Sequence, residues 1–188
     1  MATQTEHVLN GIDVQQLSDT IDAVRDNPSM ADFRFRAHTE WVEGAKSRTR
    51  IKEFYGAGQE DETRTKEFVL EGDEPAVLLG GNAAPNAVET LLHALTSCLT
   101  VGFAYNAAAQ DIDVRSLEFE TEGTIDLRAF LGISDEVRPG YKDIQVKYRV
   151  DADAPDEKID ELCAYVQRTS PVLDALRNPV DVKVQRVR

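Results

Sequence analysis

The feature of this sequence that most constrains its fold is one long, weakly charged stretch rich in apolar residues. It runs from Gly80 to Gln110 and reads GGNAAPNAVETLLHALTSCLTVGFAYNAAAQ. No proline follows Pro85 within it, so a helix that begins at Asn86 can continue to its end. At 1.5 Å per residue such a helix is on the order of 35 Å long, about the width of a small domain. The stretch therefore predicts one helix that crosses the domain from end to end.

The first turn of this helix carries a start signal. Glu89 is the third residue after Asn86, and in a capping box each of the two side chains accepts a hydrogen bond from the backbone N–H of the other residue. Apolar residues lie on both faces of the helix, which is typical of a membrane span or of a helix covered by protein on all sides. Its polar residues are too numerous for the usual membrane span. They are Glu89, His93, Thr96, Ser97, Thr100 and Asn106. A buried central helix is therefore predicted, with the thiol of Cys98 near its middle.

The composition limits the partners of the chain. Its 188 residues suit one domain or one domain with an extension, and 41% of them are hydrophobic, which is enough for a sizeable core. The 34 acidic residues outnumber the 21 basic residues, and the net charge is −13. Nucleic acid and anionic membrane surfaces are not expected as partners, because both would be repelled. The first ten residues lack the basic start and apolar core of a signal peptide, which predicts a cytoplasmic location.

The cysteines and histidines are too few and too scattered to build a disulfide framework or a metal site. Cys98 and Cys163 form no CxxC motif, and His7, His38 and His93 lie far apart in the sequence. No metal and no other cofactor is expected. Cys163 lies in the apolar stripe of a predicted helix, where we expect an inert core thiol.

The rest of the chain alternates between strand and helix signals. Strands are predicted at residues 32–41, 46–55, 63–71, 114–126, 142–151 and 180–187. Helices are predicted at residues 13–25, 153–169 and 171–177, with a short helical turn at 127–133. Asp13 and Asp153 are expected as N-caps, and Ser170 is expected to cap the last helix with Pro171 at its first position. This order of elements predicts an α+β fold with mostly antiparallel sheets around the long central helix.

Two segments and the order of elements resemble a known family. LLHALTSCLT in the central helix and TSPVLDAL before the last strand are similar to the OsmC/Ohr superfamily of osmotically inducible protein C-like and organic hydroperoxide resistance-like proteins. The resemblance covers roughly residues 32–188. It implies an OsmC-like domain at residues 31–188, preceded by a tail and amphipathic helix at residues 1–30. It also implies an intertwined homodimer with active sites where the subunits meet.

The resemblance assigns roles to individual residues. Cys98 matches the thiol that attacks the peroxide O–O bond. Arg48 matches the arginine that steadies the thiolate, with Arg50 on the same strand face in reserve. The family's glutamate that orients this arginine lies ten residues before the cysteine, where this chain has Val88. Glu89 is one position off and about 180° around the helix from Cys98, so it needs a bend near the start of the helix to serve, and its alternative role is the capping box.

The family position that regenerates the thiol is changed in this chain. Family members place a second cysteine directly before Pro-Val, and that cysteine resolves the sulfenate. Ser170 occupies the position here and cannot form a disulfide. Cys163 lies seven residues earlier, about 10 Å along a helix, whereas disulfide Cα atoms lie within roughly 4.4–6.8 Å of each other. An external thiol or dithiol is therefore expected as the reductant.

Three functions are compatible with these residues. The first is an enzyme in which Cys98 reduces an organic hydroperoxide to the alcohol; a thiol in mid-helix then needs a cation from another element, because the field of the helix N-terminus fades within one turn. The second is a non-catalytic stress-response protein that binds a small apolar ligand, with Cys98 as a packing residue or redox sensor. The third, a cysteine hydrolase, lacks a histidine partner, because His93 is five residues from Cys98 and points elsewhere on the helix.

Overall fold

Within residues 7–188, which the computed structural model describes, four sheets and four α-helices make up the predicted α+β fold. The helices are α1 (Val14–Asp26), α2 (Ala87–Ala109), α3 (Asp156–Thr169) and α4 (Pro171–Arg177). The strands are β1 (Val8–Leu9), β2 (Ile12–Asp13), β3 (Arg34–Phe35), β4 (His38–Glu43), β5 (Lys46–Ile51), β6 (Phe54–Gly56), β7 (Gln59–Glu60), β8 (Phe68–Gly72), β9 (Val114–Ile125) and β10 (Tyr141–Ala152). Short 3-10 helices lie at Pro28–Ala31 and Ala76–Leu78.

The contacts of the chain divide it into two units. One contains Asp13–Leu91, and the other contains Val8–Ile12 and Leu92–Arg188. This division by contacts does not test the predicted boundary between an N-terminal segment at residues 1–30 and an OsmC-like domain at residues 31–188, which stays a prediction. Residues 1–6 of the predicted tail lie outside the described residues.

The amphipathic helix near the N-terminus begins where its cap predicts. Asp13 Oδ1 accepts a hydrogen bond from the Gln16 N–H at 2.9 Å, and α1 starts at the next residue. None of the residues of α1 is fully buried in the described chain, and Ile21 of its apolar stripe is 44% exposed.

The first unit contains two three-stranded sheets, with orders β4-β5-β8 and β3-β6-β7. The first of them is the predicted antiparallel meander. The predicted strands 32–41 and 46–55 do pair with each other, but the ladder breaks at 36–37 on one strand and at 52–53 on the other. The alternating side chains mark the two faces of a strand but carry no signal for this break. Arg36 beside it forms a bidentate ion pair with Glu60 of β7, at 2.8 Å for both contacts.

A buried carboxylate that the sequence analysis did not single out organises the loop between β8 and α2. Asp73 is 3% exposed and accepts hydrogen bonds from the backbone N–H groups of Ala83, Glu74 and Gly81, at 3.0, 2.8 and 3.2 Å. These bonds, the one from Ala83 foremost, hold the pKa of Asp73 below its ordinary value. The Asp73 carboxylate therefore holds together the loop that leads into α2.

The central helix is confirmed, but in the described chain only one of its faces is covered. Leu95, Leu99 and Phe103 are at most 5% exposed, whereas Val101 and Tyr105 are 52% and 49% exposed. The prediction of a helix covered on all sides is wrong for the single chain, because its sheet and helices supply only one apolar layer. By length and composition, α2 is also long and apolar enough to cross a membrane. The core helix of a soluble protein meets the same two criteria.

The second unit is built on the long hairpin of β9 and β10. Both strands were predicted, and they pair antiparallel along their length. Their apolar side chains pack against the buried faces of α2 and α3. The hairpin residues in this core are Val114, Leu117, Phe119, Ile144, Val146, Val150 and Ala152. The predicted turn after β9 is present, and the Leu131 N–H donates to the Leu127 carbonyl at 2.9 Å.

Two predictions near the C-terminus are wrong. Asp153 does not cap α3, because the helix begins at Asp156 and Pro155 occupies the N-cap position, two residues after Asp153. Residues 180–187 form no strand in the part of the chain that the structure describes, and Val182 and Val184 are 73% and 93% exposed. An alternating pattern becomes a strand only when a neighbouring strand completes its hydrogen bonds.

Candidate active site

Two helices of the second unit bring the candidate site together. Gly102 lies one turn after Cys98 on α2, and Val166 lies one turn before Ser170 on α3. A β-carbon added at Gly102 would lie 3.1 Å from Val166 Cγ1, so the glycine allows a close approach of the two helices. Because the helices run in opposite directions at this contact, Cys98 meets Ser170 one turn further along.

The Ser170 hydroxyl donates a hydrogen bond to the Cys98 sulfur, with an Oγ–Sγ distance of 3.1 Å. Ser170 is 4% exposed, whereas Cys98 is partly exposed. The same Oγ accepts a hydrogen bond from the Leu173 N–H at 3.3 Å and thereby caps α4, as the sequence predicts. The resemblance implied that this position lies close to Cys98, because it carries the resolving cysteine in the family. The hydrogen bond from the hydroxyl to the sulfur was not foreseen.

The two candidate arginines lie on β5 in the first unit. Arg48 Nε donates to Glu71 Oε1 at 2.8 Å, and the two side chains are 40% and 49% exposed. Arg50 contacts two carboxylates, Glu40 at 2.8 Å and Glu67 at 3.3 Å. Ion pairs with this exposure contribute roughly 0–1 kcal/mol, so the Arg48 guanidinium can exchange its partner at little cost.

The Glu89 side chain takes part in the capping box of α2. Its Oε2 accepts a hydrogen bond from the Asn86 N–H at 2.8 Å, and its own N–H donates to Asn86 Oδ1 at 2.9 Å. The alternative role that the sequence analysis gave to Glu89 is therefore present. The structure thus brings Cys98 and Ser170 together in the second unit, and it places Arg48 and Glu89 in the first unit with carboxylate and backbone partners of their own.

The second thiol is buried, as predicted. Cys163 is 6% exposed, and burial raises its pKa, an effect that a hydrogen bond from Tyr148 partly offsets. The same hydrogen bond, together with burial, raises the pKa of Tyr148 to about 12. Tyr148 lies on the predicted strand at residues 142–151, and the sequence analysis did not foresee this contact. A protonated thiol in this environment is a poor nucleophile.

The histidine on α2 contacts a serine. His93 Nδ1 lies 3.3 Å from Ser97 Oγ, one turn along the same helix. Within residues 7–188 no group of three or more His, Cys, Asp or Glu side chains is placed to hold a metal ion.

The chain matches the family model described as OsmC-like protein over residues 80–185, which is more than half of its length. No curated protein matches the sequence.

Solved structures share the fold. An OsmC like protein from Mycoplasma pneumoniae gives a TM-score of 0.59 at 12% identity, over 78% of this chain and 89% of that chain. A putative osmotic stress induced and detoxification response protein from Psychrobacter arcticus gives 0.55 at 14% identity, over 74% and 85%. An organic hydroperoxide resistance protein OsmC from Legionella pneumophila gives 0.53 at 17% identity, over 80% and 93%.

Proposed function

The chain belongs to the OsmC-like protein family, and on that premise we propose that it reduces organic hydroperoxides through the thiol of Cys98. One observation carries the proposal. The partly exposed Cys98 sulfur receives a hydrogen bond from the buried Ser170 hydroxyl at 3.1 Å, so this thiol has both access to solvent and a polar partner, unlike an apolar packing group. A structural relative described as an organic hydroperoxide resistance protein supports the choice of substrate.

The reaction follows the chemistry of thiols and peroxides. The Cys98 thiolate attacks one peroxide oxygen, and the O–O bond breaks. The sulfur becomes a sulfenic acid, and the other oxygen leaves as an alkoxide that takes up a proton to give the alcohol. Because Ser170 carries no sulfur, two external thiols supply the two electrons that return the sulfenic acid to the thiol, which leaves a disulfide and water.

We assign the stabilising cation to Arg48. Among the described residues it forms one ion pair, with Glu71, whereas Arg50 forms two, with Glu40 and Glu67. Arg48 therefore loses less when it turns to a thiolate. The capping box gives Glu89 a structural role, and its role in orienting Arg48 stays a prediction.

We also propose that the protein is a homodimer. The half-exposed residues Val101 and Tyr105 lie on the long apolar helix, and Trp41 of β4 is 75% exposed. A second copy would cover such surface. Sedimentation velocity should show a dimer, and Val101→Glu should shift it towards monomer; a wild-type monomer at micromolar concentration would contradict the proposal. The expected cytoplasmic location stays a prediction.

The experiment that tests the proposed activity measures consumption of cumene hydroperoxide with dithiothreitol as reductant. Wild-type protein and Cys163→Ala should consume it, and Cys98→Ser should not. Arg48→Met should slow the reaction at least tenfold, whereas the matched variant Arg50→Met, two residues along the same strand, should change it little. Equal rates for wild type and Cys98→Ser would contradict the proposal.

The second candidate function is a non-catalytic protein that binds a small apolar ligand. The presence of Ser170 at the resolving position and the Glu71 partner of Arg48 favour it. It predicts that Cys98 reacts slowly with peroxide in folded protein, and that a small apolar molecule binds equally well to wild type and Cys98→Ser.

A further inference from the structure

We propose that the Ser170 hydroxyl is a catalytic hydrogen-bond donor that stabilises the Cys98 thiolate, in place of the second thiol that this position carries in the family. The proposal rests on the proposed function in taking Cys98 as the reacting group. It goes beyond that function because it gives the substituted residue a chemical task of its own.

The contacts of Ser170 fix the direction in which its proton points. A hydroxyl has one proton to donate and two lone pairs that accept. The Leu173 N–H donates to one lone pair at 3.3 Å, and the Cys98 sulfur lies at 3.1 Å on the donor side. The Ser170 backbone N–H is itself bound to the Val166 carbonyl at 3.0 Å, so the residue is anchored at both ends. The hydroxyl is therefore oriented towards the sulfur before any substrate arrives.

The burial of Ser170 strengthens its hydrogen bond to Cys98. Ser170 is 4% exposed, so water competes little for the hydroxyl, and a hydrogen bond in such surroundings is stronger than in water. A donor that bonds to the charged form of an acid favours that form. The field of the helix N-terminus cannot replace it, because Cys98 lies well beyond the first turn of α2 and that field fades within one turn.

The magnitude follows from charge-assisted hydrogen bonds. Hydrogen bonds to charged groups are stronger than those between neutral groups, and a neutral hydroxyl on a large sulfur belongs at the low end of that class, so its loss should slow the reactions of the sulfur roughly tenfold.

The test measures the rate of Cys98 alkylation by iodoacetamide against pH, in a background with Cys163→Ala. Ser170→Ala removes the hydroxyl, and the midpoint of its rate curve should lie about one pH unit above that of the wild type, with about tenfold slower alkylation at pH 7. Ser170→Thr keeps both the hydroxyl and the cap of α4, so its midpoint should stay close to the wild-type value. Ser170→Gly keeps most of the capping energy without a hydroxyl and decides the question if Ser170→Ala does not fold.

The two readings of Ser170 predict different results. If Ser170 only caps α4, the variants without the hydroxyl will melt at a lower temperature but keep the wild-type midpoint, and the proposal is overturned. Alkylation uses no peroxide, so the test is independent of the proposed activity. A shifted midpoint in a protein that consumes no hydroperoxide would support the role of Ser170 and contradict the peroxidase function. An unshifted midpoint in a protein that does consume hydroperoxide would support the peroxidase function and contradict the role of Ser170.

Discussion

Replacing Ser170 with cysteine should create a disulfide with Cys98. The Oγ–Sγ distance is 3.1 Å, and the sulfur atoms of a disulfide lie about 2.05 Å apart. The atoms must therefore approach by about 1 Å, and the longer C–S bond of the introduced thiol covers part of that distance. The two residues are 72 positions apart, and closing a loop of this length removes entropy from the unfolded chain worth about 4 kcal/mol.

The thermal stability of the oxidised variant gives the magnitude to test. Disulfides commonly contribute about 2–4 kcal/mol, and 1 kcal/mol shifts the melting temperature of a protein of this size by about 2–4 °C. A contribution of about 3 kcal/mol should thus raise the melting temperature of the oxidised Ser170→Cys variant by about 6–12 °C over its reduced form. The measurement uses the Cys163→Ala background, so that only two thiols are present.

Two oxidants distinguish the distance between the two thiols from the reaction of Cys98 with peroxide. One equivalent of cumene hydroperoxide should consume both thiols of Ser170→Cys, whereas in the Ser170 parent it should leave one sulfenic acid that dimedone labels. Diamide, which oxidises dithiols without peroxidase chemistry, should form the same disulfide. If both thiols survive diamide in folded protein, then the two side chains do not face each other and the reasoning from the 3.1 Å contact fails.

Three further predictions concern Asp73, Glu89 and Cys163. Hydrogen bonds from the Ala83, Glu74 and Gly81 N–H groups hold the pKa of Asp73 below its ordinary value. The carboxylate therefore stabilises the folded protein above the ordinary pKa, and this stabilisation is lost as the pH falls through the lowered pKa. Urea unfolding should show that Asp73→Asn is less stable than wild type at pH 7 and that its stability depends less on acid pH. Glu89→Ala should destabilise the protein by about 1 kcal/mol in thermal unfolding, and Glu89→Gln by less, because glutamine keeps the acceptor. Mass spectrometry should show that iodoacetamide labels Cys163 more slowly than Cys98 at neutral pH, because burial raises the pKa of Cys163; equal labelling would contradict this.

The features that the sequence predicted best are those whose physical cause lies within a few residues. The capping box of Asn86 and Glu89, the Asp13 cap and the Ser170-Pro171 start of α4 each depend on a side chain that reaches a backbone group of its own turn. The strands β9 and β10 were predictable as well, because apolar and polar residues alternate along much of each of them.

The features that the sequence missed depend on contacts between distant residues. The strand predicted at residues 180–187 needs a neighbour, and none pairs with it in the described part of the chain. The resemblance implied that Ser170 lies near Cys98, but the hydrogen bond between them needs the approach of α2 and α3 at Gly102, which a pattern in either helix alone does not contain. The sequence showed only that a sulfur was missing at this position, and the structure shows what the oxygen that replaces it contacts.

A double variant tests whether the two proposed contributions to the reactivity of Cys98 are independent. The Ser170 hydroxyl contacts the sulfur at 3.1 Å, and the role of Arg48 stays a prediction. The exposed ion pair of Arg48 with Glu71 contributes roughly 0–1 kcal/mol, so it opposes a change of partner only weakly. If hydroxyl and guanidinium act on the sulfur independently, the losses from Ser170→Ala and Arg48→Met multiply in the double variant.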